Sequence, residues 1–358
     1  MNHRVSPRRE IDQGGHGKMF LRHSKILKYG IVGLLVSIGV QDLSFAETAG
    51  SRTYAYEKVS QKGKDAIATF KAVYRKRLDT EMAHRDEASR KEIIEVFEKC
   101  INLGYDADLK SANKLLVALD KKYPDEPVIL WHLAVNYFMV ARRLGEDFPA
   151  QRPLLEQGIL KTARCLEIAP DNPDCHLSYA ASRGASAIAH GIFSTISQIS
   201  EIEKLMLHAH KVTKAKPFPM APFGISSFNV ATGALAEFYR LVPDWWIFKV
   251  LAGVRGDKAK AWSYAKTMPV KEIGSTNIVA RAALCEGARS EDQKLIDKSM
   301  GLIVQGIEMD LMHPFDEPEF NRLGRLYDAI GALKDPSFDD YFELGCYEFG
   351  NDDKSKLE

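Results

Sequence analysis

The stretches Lys122-Tyr-Pro-Asp-Glu-Pro127, Ile168-Ala-Pro-Asp-Asn-Pro173 and Ala215-Lys-Pro-Phe-Pro219 repeat one pattern of punctuation three times. In each, a proline stops the preceding helical segment, because it lacks the N–H that a helix interior needs. A second proline follows within three residues and is tolerated in the first turn of the next helix. The leading prolines, Pro124, Pro170 and Pro217, stand 46 and 47 residues apart, and a looser junction follows at Thr267-Met-Pro269. A recurring period with the same stop and start predicts helical hairpins. One hairpin cannot bury its apolar stripe alone, so neighbours must stack.

Between the seams the periodicity is helical. Val128–Ala141 places Trp131, Ala134, Val135, Phe138 and Ala141 on one stripe, and Ile159, Ala163 and Leu166 repeat it on the next helix. No alternating run with turn signals reads as a sheet, so the expected class is all-α, a superhelical stack of hairpins. Gly145-Glu-Asp-Phe-Pro149 reads as a loop within one repeat.

The phrase Cys165-Leu-Glu-Ile-Ala-Pro170-Asp-Asn-Pro173 resembles the second helix of a tetratricopeptide repeat, with its small-Leu-x-x-x-Pro ending. Ala118-Leu-Asp-Lys-Lys-Tyr-Pro124 matches it with one extra residue, and Val212–Pro217 matches loosely. The repeats here are longer than that family's usual ones. From about residue 110 to 330, a further order is recognisable: Leu130-Trp-His-Leu-Ala134, Gly158–Pro170, His176-Leu-Ser-Tyr-Ala180, Phe238-Tyr-Arg-Leu-Val-Pro-Asp-Trp-Trp246 and Gly253–Ala261. It resembles the tetratricopeptide proteins that form the T component of TRAP transporters, and is also similar to the regulator of microtubule dynamics family. The T-component resemblance implies a periplasmic helical scaffold that contacts a solute-binding protein and has room for a hydrophobic ligand.

Composition agrees with a folded chain. The 358 residues are 45 % apolar and 27 % charged, with a net charge of +1, which excludes a disordered chain and gives no basic surplus for nucleic acid. Lys25 and Lys28 precede the short apolar run Ile31–Val40, and Ser44 and Ala46 supply a small-residue exit. This is the layout of a secretory signal. Cleavage is expected after Ala46, giving a periplasmic or otherwise exported protein; the alternative is an inner-membrane anchor formed by residues 29–45. The long charged segment before the apolar run leaves Met1 and Met19 both open as starts. Residues 1–46 carry seven of the 49 basic and three of the 48 acidic side chains, so the remainder is near −3. After this leader, residues 47–110 read as N-terminal helices or a divergent repeat, 111–331 as the repeat domain, and 332–358 as a C-terminal helix or tail.

The five cysteines, Cys100, Cys165, Cys175, Cys285 and Cys346, are odd in number and irregularly spaced, which reads as no disulfide framework. Cys165 and Cys175 flank a turn, and their pairing is left open. No cofactor or metal site is expected, and no catalytic spacing appears. His208 and His210 lie on opposite sides of one helix and cannot chelate together. Asp335, Asp339, Asp340, Glu343 and Asp352-Asp353 lack the spacing of a calcium loop. Arg255-Gly-Asp257 reads as a turn whose aspartate caps the helix starting at Lys258. Small residues over Ala180–Gly191 read as a close helix crossing.

Adjacent helical positions lie about 100° apart, so Trp245 and Trp246 cannot both face one core stripe. One is expected to line a groove. The expected function is therefore non-catalytic: a scaffold whose concave surface binds a protein partner through Asn136, Arg143, Tyr179, Arg183, Trp245 and Trp246. The alternative is a carrier for an apolar small molecule held among Tyr179, Phe193, Phe228 and Trp245. Membrane contact is expected only through an uncleaved leader.

Overall fold

The computed structural model describes residues 60–105, 108–144, 147–191, 196–221, 225–244, 249–250, 253–312 and 316–346, all within one unit, Ser51–Phe349. Thirteen helices lie in the described residues. They are α1 Gln61–Glu81, α2 Glu87–Tyr105, α3 Leu109–Lys122, α4 Pro127–Arg142, α5 Phe148–Ile168, α6 Pro173–His190, α7 Ile199–Ala215, α8 Ser227–Leu241, α9 Lys258–Ala265, α10 Ile273–Ser290, α11 Gln293–Glu308, α12 Asp316–Gly331 and α13 Phe338–Cys346. The leader, Phe193, Trp245, Trp246 and Asp352-Asp353 lie outside the described residues.

The proline seams fall between helices as expected. Pro127 and Pro173 open α4 and α6 in their first turns. At the first seam Asp125 turns the chain with a positive φ of 62° and is held by Arg164 through two 2.8 Å hydrogen bonds. At the second, the Asn172 side-chain Oδ1 accepts from the amides of Asp174 and Cys175, satisfying donors that have no partner within the helix. The third seam departs from the pattern. Pro219 opens no helix but a short antiparallel pairing, β1 Pro219–Ala221 with β2 Ile225–Ser226, and α8 begins only at Ser227.

Each helix packs on the next, from α2 through α12. The even-numbered helices also touch one another in series: α4 with α6, α6 with α8, α8 with α10, and α10 with α12. This second row is what stacked hairpins produce when the first helix of each pair lines one side. The row bends far enough for Arg142, at the end of α4, to reach Glu319 of α12 at 2.8 Å, while Asn277 of α10 donates to the same carboxylate at 2.7 Å.

Burial refines the two stripes. On α4, Val128–Trp131, Leu133 and Ala134 are all buried, so its first half is enclosed on every side rather than along one stripe. On α5 the deepest positions are Leu155, Gly158, Thr162 and Cys165, and Ile159, Ala163 and Leu166 flank them half-buried. Small residues set that seam because the backbones approach closely there. A Cβ at Gly158 would lie 3.2 Å from Ser182 Oγ and 3.4 Å from the Ala134 carbonyl oxygen. The small-residue run of α6 is thus a packing surface between α4, α5 and α7, where Gly184 faces Met206.

The cysteine reading is corrected. Cys165 and Cys175 are joined across the α5–α6 turn, and Cys285 of α10 is joined to Cys346 at the end of α13, with Cα separations of 5.7 and 4.8 Å. Cys100 alone among the five is free. Even spacing in sequence is not needed, because helix packing brings both pairs together. The second bridge fastens α13 to the same core as Leu323, Leu326 and Ile330.

Arg255-Gly-Asp257 is a capped turn. Asp257 Oδ1 accepts from the Lys260 amide at 2.9 Å, and Gly256 passes so close to the Val242 carbonyl that a Cβ would sit 1.8 Å from its oxygen. Asp257→Ala is expected to cost about 1 kcal/mol of stability, measured by urea unfolding; no change would mean the cap is dispensable.

Candidate functional site

Helix α1 does not stack as the odd-numbered helices do. It lies along the inner row, and its own sequence explains why. Ile67, Phe70, Tyr74 and Leu78 recur at i, i+3, i+7 and i+11, a stripe along one face. Ile67, Tyr74 and Leu78 are buried and Phe70 is half-buried, whereas Ala68, Ala72, Val73, Lys76 and Thr80 face solvent. A second stripe, Lys71, Arg75 and Asp79, meets Asn102, Glu98 and Arg90 of α2. At its start, the Ser60 amide donates to the Leu311 carbonyl oxygen beyond α11 at 3.3 Å. The helix therefore reaches from the far hairpins to α2.

Two polar contacts fix α1 against the inner row. The first joins Tyr74 to His132 of α4. His132 Nδ1 lies 2.6 Å from the Val128 carbonyl oxygen, which can only accept, so Nδ1 carries the proton and Nε2 accepts from the Tyr74 hydroxyl. The imidazole is stacked between Phe97 and Trp131, with ring centroids 4.0 and 3.6 Å away. Burial there, with the Arg77 guanidinium adding to it, pushes its pKa down to about 3.

The second contact joins Arg77 to Asp174 of α6, an ion pair in which the carboxylate is 2 % exposed. Arg77 also pairs with Glu81 at 2.6 Å and lies over the Phe218 ring at 3.8 Å. Burial pushes the Asp174 carboxyl up to about 7 although Arg77 pulls it down. Not every polar atom here is answered. Among the described residues, Arg77 Nη1, Glu81 Oε2, Asp174 Oδ1 and Trp131 Nε1 are buried without a hydrogen-bond partner.

The two contacts respond to acid in opposite directions: the raised Asp174 carboxyl favours the folded chain as pH falls, whereas the depressed His132 disfavours it. His132 is neutral in the folded chain, whereas in the unfolded chain it titrates at its ordinary value of about 6.5. Below pH 6.5 the unfolded chain gains a proton that the folded one refuses until about pH 3, so this contribution to stability is lost as pH falls. It amounts to about 2 kcal/mol between pH 7 and pH 5. His132→Phe, which cannot titrate, is expected to lose less stability than wild type between pH 7 and pH 5; an identical pH dependence would exclude His132 as a contributor.

The residues expected to line the groove fall into two separate groups. Asn136 is buried on α4, and its Oδ1 has no partner among the described residues. Arg143 caps the end of α4, where burial lowers its pKa and Glu317 of α12 opposes the shift. Tyr179 and Arg183 form another patch on α6, in which Arg183 lies 5.9 Å from the Tyr179 ring and bonds Glu201 of α7 at 2.8 Å. His208 and His210 do part company, the first against His176 of α6 and the second against Phe228 and Tyr264. No group of three His, Cys, Asp or Glu among the described residues is arranged to hold a metal. No described helix is long and apolar enough to cross a membrane.

The contacts of Tyr74, Arg77, His132 and Asp174 were not anticipated. Their signal is the Ile67-x-x-Phe70-x-x-x-Tyr74-x-x-Arg77 face, which lies well before the first proline seam.

Residues 96–237, from within α2 to within α8, match the family model of regulator of microtubule dynamics protein 1-3. That is less than half of the chain, and of the two closer resemblances read from the sequence it supports the second. No curated protein matches the chain.

Proposed function

We propose that this protein is a non-catalytic, exported helical scaffold that binds a protein partner along its inner row of helices. The observation supporting this reading is the continuous series α4, α6, α8, α10 and α12, a geometry that offers one long surface to an extended partner segment. Export is supported by the layout of residues 1–46 and by two cystine bridges, which persist in oxidising compartments. The T-component resemblance suggests a transporter's solute-binding protein as the partner.

Two measurements test this. The mature protein from the periplasm is expected to begin at Glu47; an intact leader in the cytosol would end the export reading. Cross-linking in the native host is expected to capture a solute-binding protein. Alanine at Asn136, Arg143, Tyr179, Arg183, Trp245 and Trp246 should reduce that capture. If those changes leave it intact while outer positions such as the exposed Leu160 abolish it, the inner row is not the binding surface.

A further inference from the structure

We propose that the groove along the inner row is a receptor for an amphipathic helix of the partner, and that α1 is its displaceable occupant in cis. The inference rests on the scaffold reading and adds what the groove recognises.

Three observations carry it. First, α1 is seated as a ligand helix is seated, with anchors at Ile67, Phe70, Tyr74 and Leu78 on one face, polar contacts of Lys71, Arg75 and Asp79 to α2 beside it, and Ala68, Ala72, Val73, Lys76 and Thr80 in solvent. The anchors have the spacing by which helices bind hydrophobic grooves. Second, the groove supplies specific polar answers to this helix: His132 Nε2 for a tyrosine hydroxyl and the buried Asp174 carboxylate for an arginine one turn on. The partner class follows, an amphipathic helix with an aromatic-x-x-Arg pair below two apolar anchors. Third, the fit of α1 is incomplete. Among the described residues, two buried groove atoms, Asp174 Oδ1 and Trp131 Nε1, have no hydrogen-bond partner, and neither do Arg77 Nη1 and Glu81 Oε2 of α1 itself. A helix that gave Asp174 Oδ1 and Trp131 Nε1 partners would make hydrogen bonds that α1 does not. The junction that follows α1 is held separately. Arg85 and His84 bind Glu126 at the start of α4, so α1 has an anchored pivot.

The test uses the whole protein and a fluorescent synthetic peptide spanning Ser60–Met82. A groove closed in cis lowers the apparent affinity by the fraction of time it is open. Wild type should therefore bind the peptide weakly. Arg77→Glu in the protein, which sets a carboxylate against Asp174, should bind it roughly tenfold more tightly or better. A peptide carrying its own Arg77→Glu should lose that gain, and the protein double variant Arg77→Glu/Asp174→Arg should close again. Tyr74→Phe removes only the hydroxyl and should give a smaller gain, which keeps the test open if the charge reversal unfolds the chain.

If neither variant gains affinity, and amide exchange over Gln61–Glu81 stays as slow as in wild type, α1 is a permanent structural element and the proposal falls. If Arg77→Glu instead forms concentration-dependent dimers that the peptide dissolves, the groove's occupant is a second copy's α1, and the partner-helix assignment falls. Neither readout requires the native partner, so groove specificity and the scaffold reading fail independently.

Discussion

Replacing Cys285 and Cys346 together with alanine is expected to lower the unfolding free energy by about 4 kcal/mol. The bridge spans 61 residues, and the stabilisation from constraining the unfolded chain grows with the logarithm of that span. Both cysteines are buried, at 1 and 0 % exposure, so the paired substitution avoids leaving one thiol alone in the core. Helix α13 has nine residues, too few to persist in water without tertiary support. It abuts α10 closely enough that a Cβ on Gly345 would lie 2.7 Å from the Cys285 amide nitrogen. Urea unfolding gives the free energy, and amide exchange at Phe338–Cys346 gives its location. Protection should fall first in α13. A loss below about 1 kcal/mol would mean that packing of Phe338, Tyr341 and Leu344, rather than the cross-link, holds the helix.

Arg240→Ala is expected to cost about 3 kcal/mol or more. Its side chain is fully buried, donates to both Glu237 oxygens at 3.0 and 2.5 Å, and donates to the Gly345 carbonyl at 3.0 Å. Truncation strands that carbonyl and deprives Glu237 of its counter-charge. Glu237 is a quarter exposed and is partly rehydrated, which places the loss at the lower end of the range for broken buried pairs. Arg240→Met fills the volume without the charge and separates packing from pairing: if it costs as little as a surface change, the ion pair adds nothing net. Arg240 and Cys346 hold the same helix end, so the two perturbations should not add. A double-mutant cycle is expected to return a coupling of about 1 kcal/mol or more; strict additivity would show that the two anchors act independently.

Hairpin organisation was readable from few residues. Pro124 and Pro127, Pro170 and Pro173 act through their own backbone geometry, and Asp257 through its own carboxylate, so neither needs a neighbour to be interpreted. Pro219 misled for the same reason. Its fixed φ suits a helix start and a strand equally, and the bond of the Ser227 amide to the Phe218 carbonyl, which closes the β1–β2 turn, is invisible in a local window. The stripe on α5 was displaced because hydrophobicity ranks Ile159 and Leu166 above Gly158 and Thr162, whereas close backbone approach favours the small residues.

The groove was less readable still. Asn136, Arg143, Tyr179 and Arg183 lie on helices whose composition does not show in which direction each side chain points. Arg77 and Asp174 are 97 residues apart, and each alone reads as an ordinary surface charge at helical spacing. The same holds for Tyr74 and His132.

The amino-acid order alone determined the all-α class, the proline junctions at Pro124–Pro127 and Pro170–Pro173 and the Asp257 cap, because each of these follows from backbone dihedrals and periodicity within a few turns. Only the tertiary structure decided that α1 lies along the inner row, that Cys285 meets Cys346, and that Arg142 reaches Glu319. Those outcomes depend on the small rotation between successive hairpins, which accumulates over the stack and is set by side-chain packing at every interface rather than by any single residue.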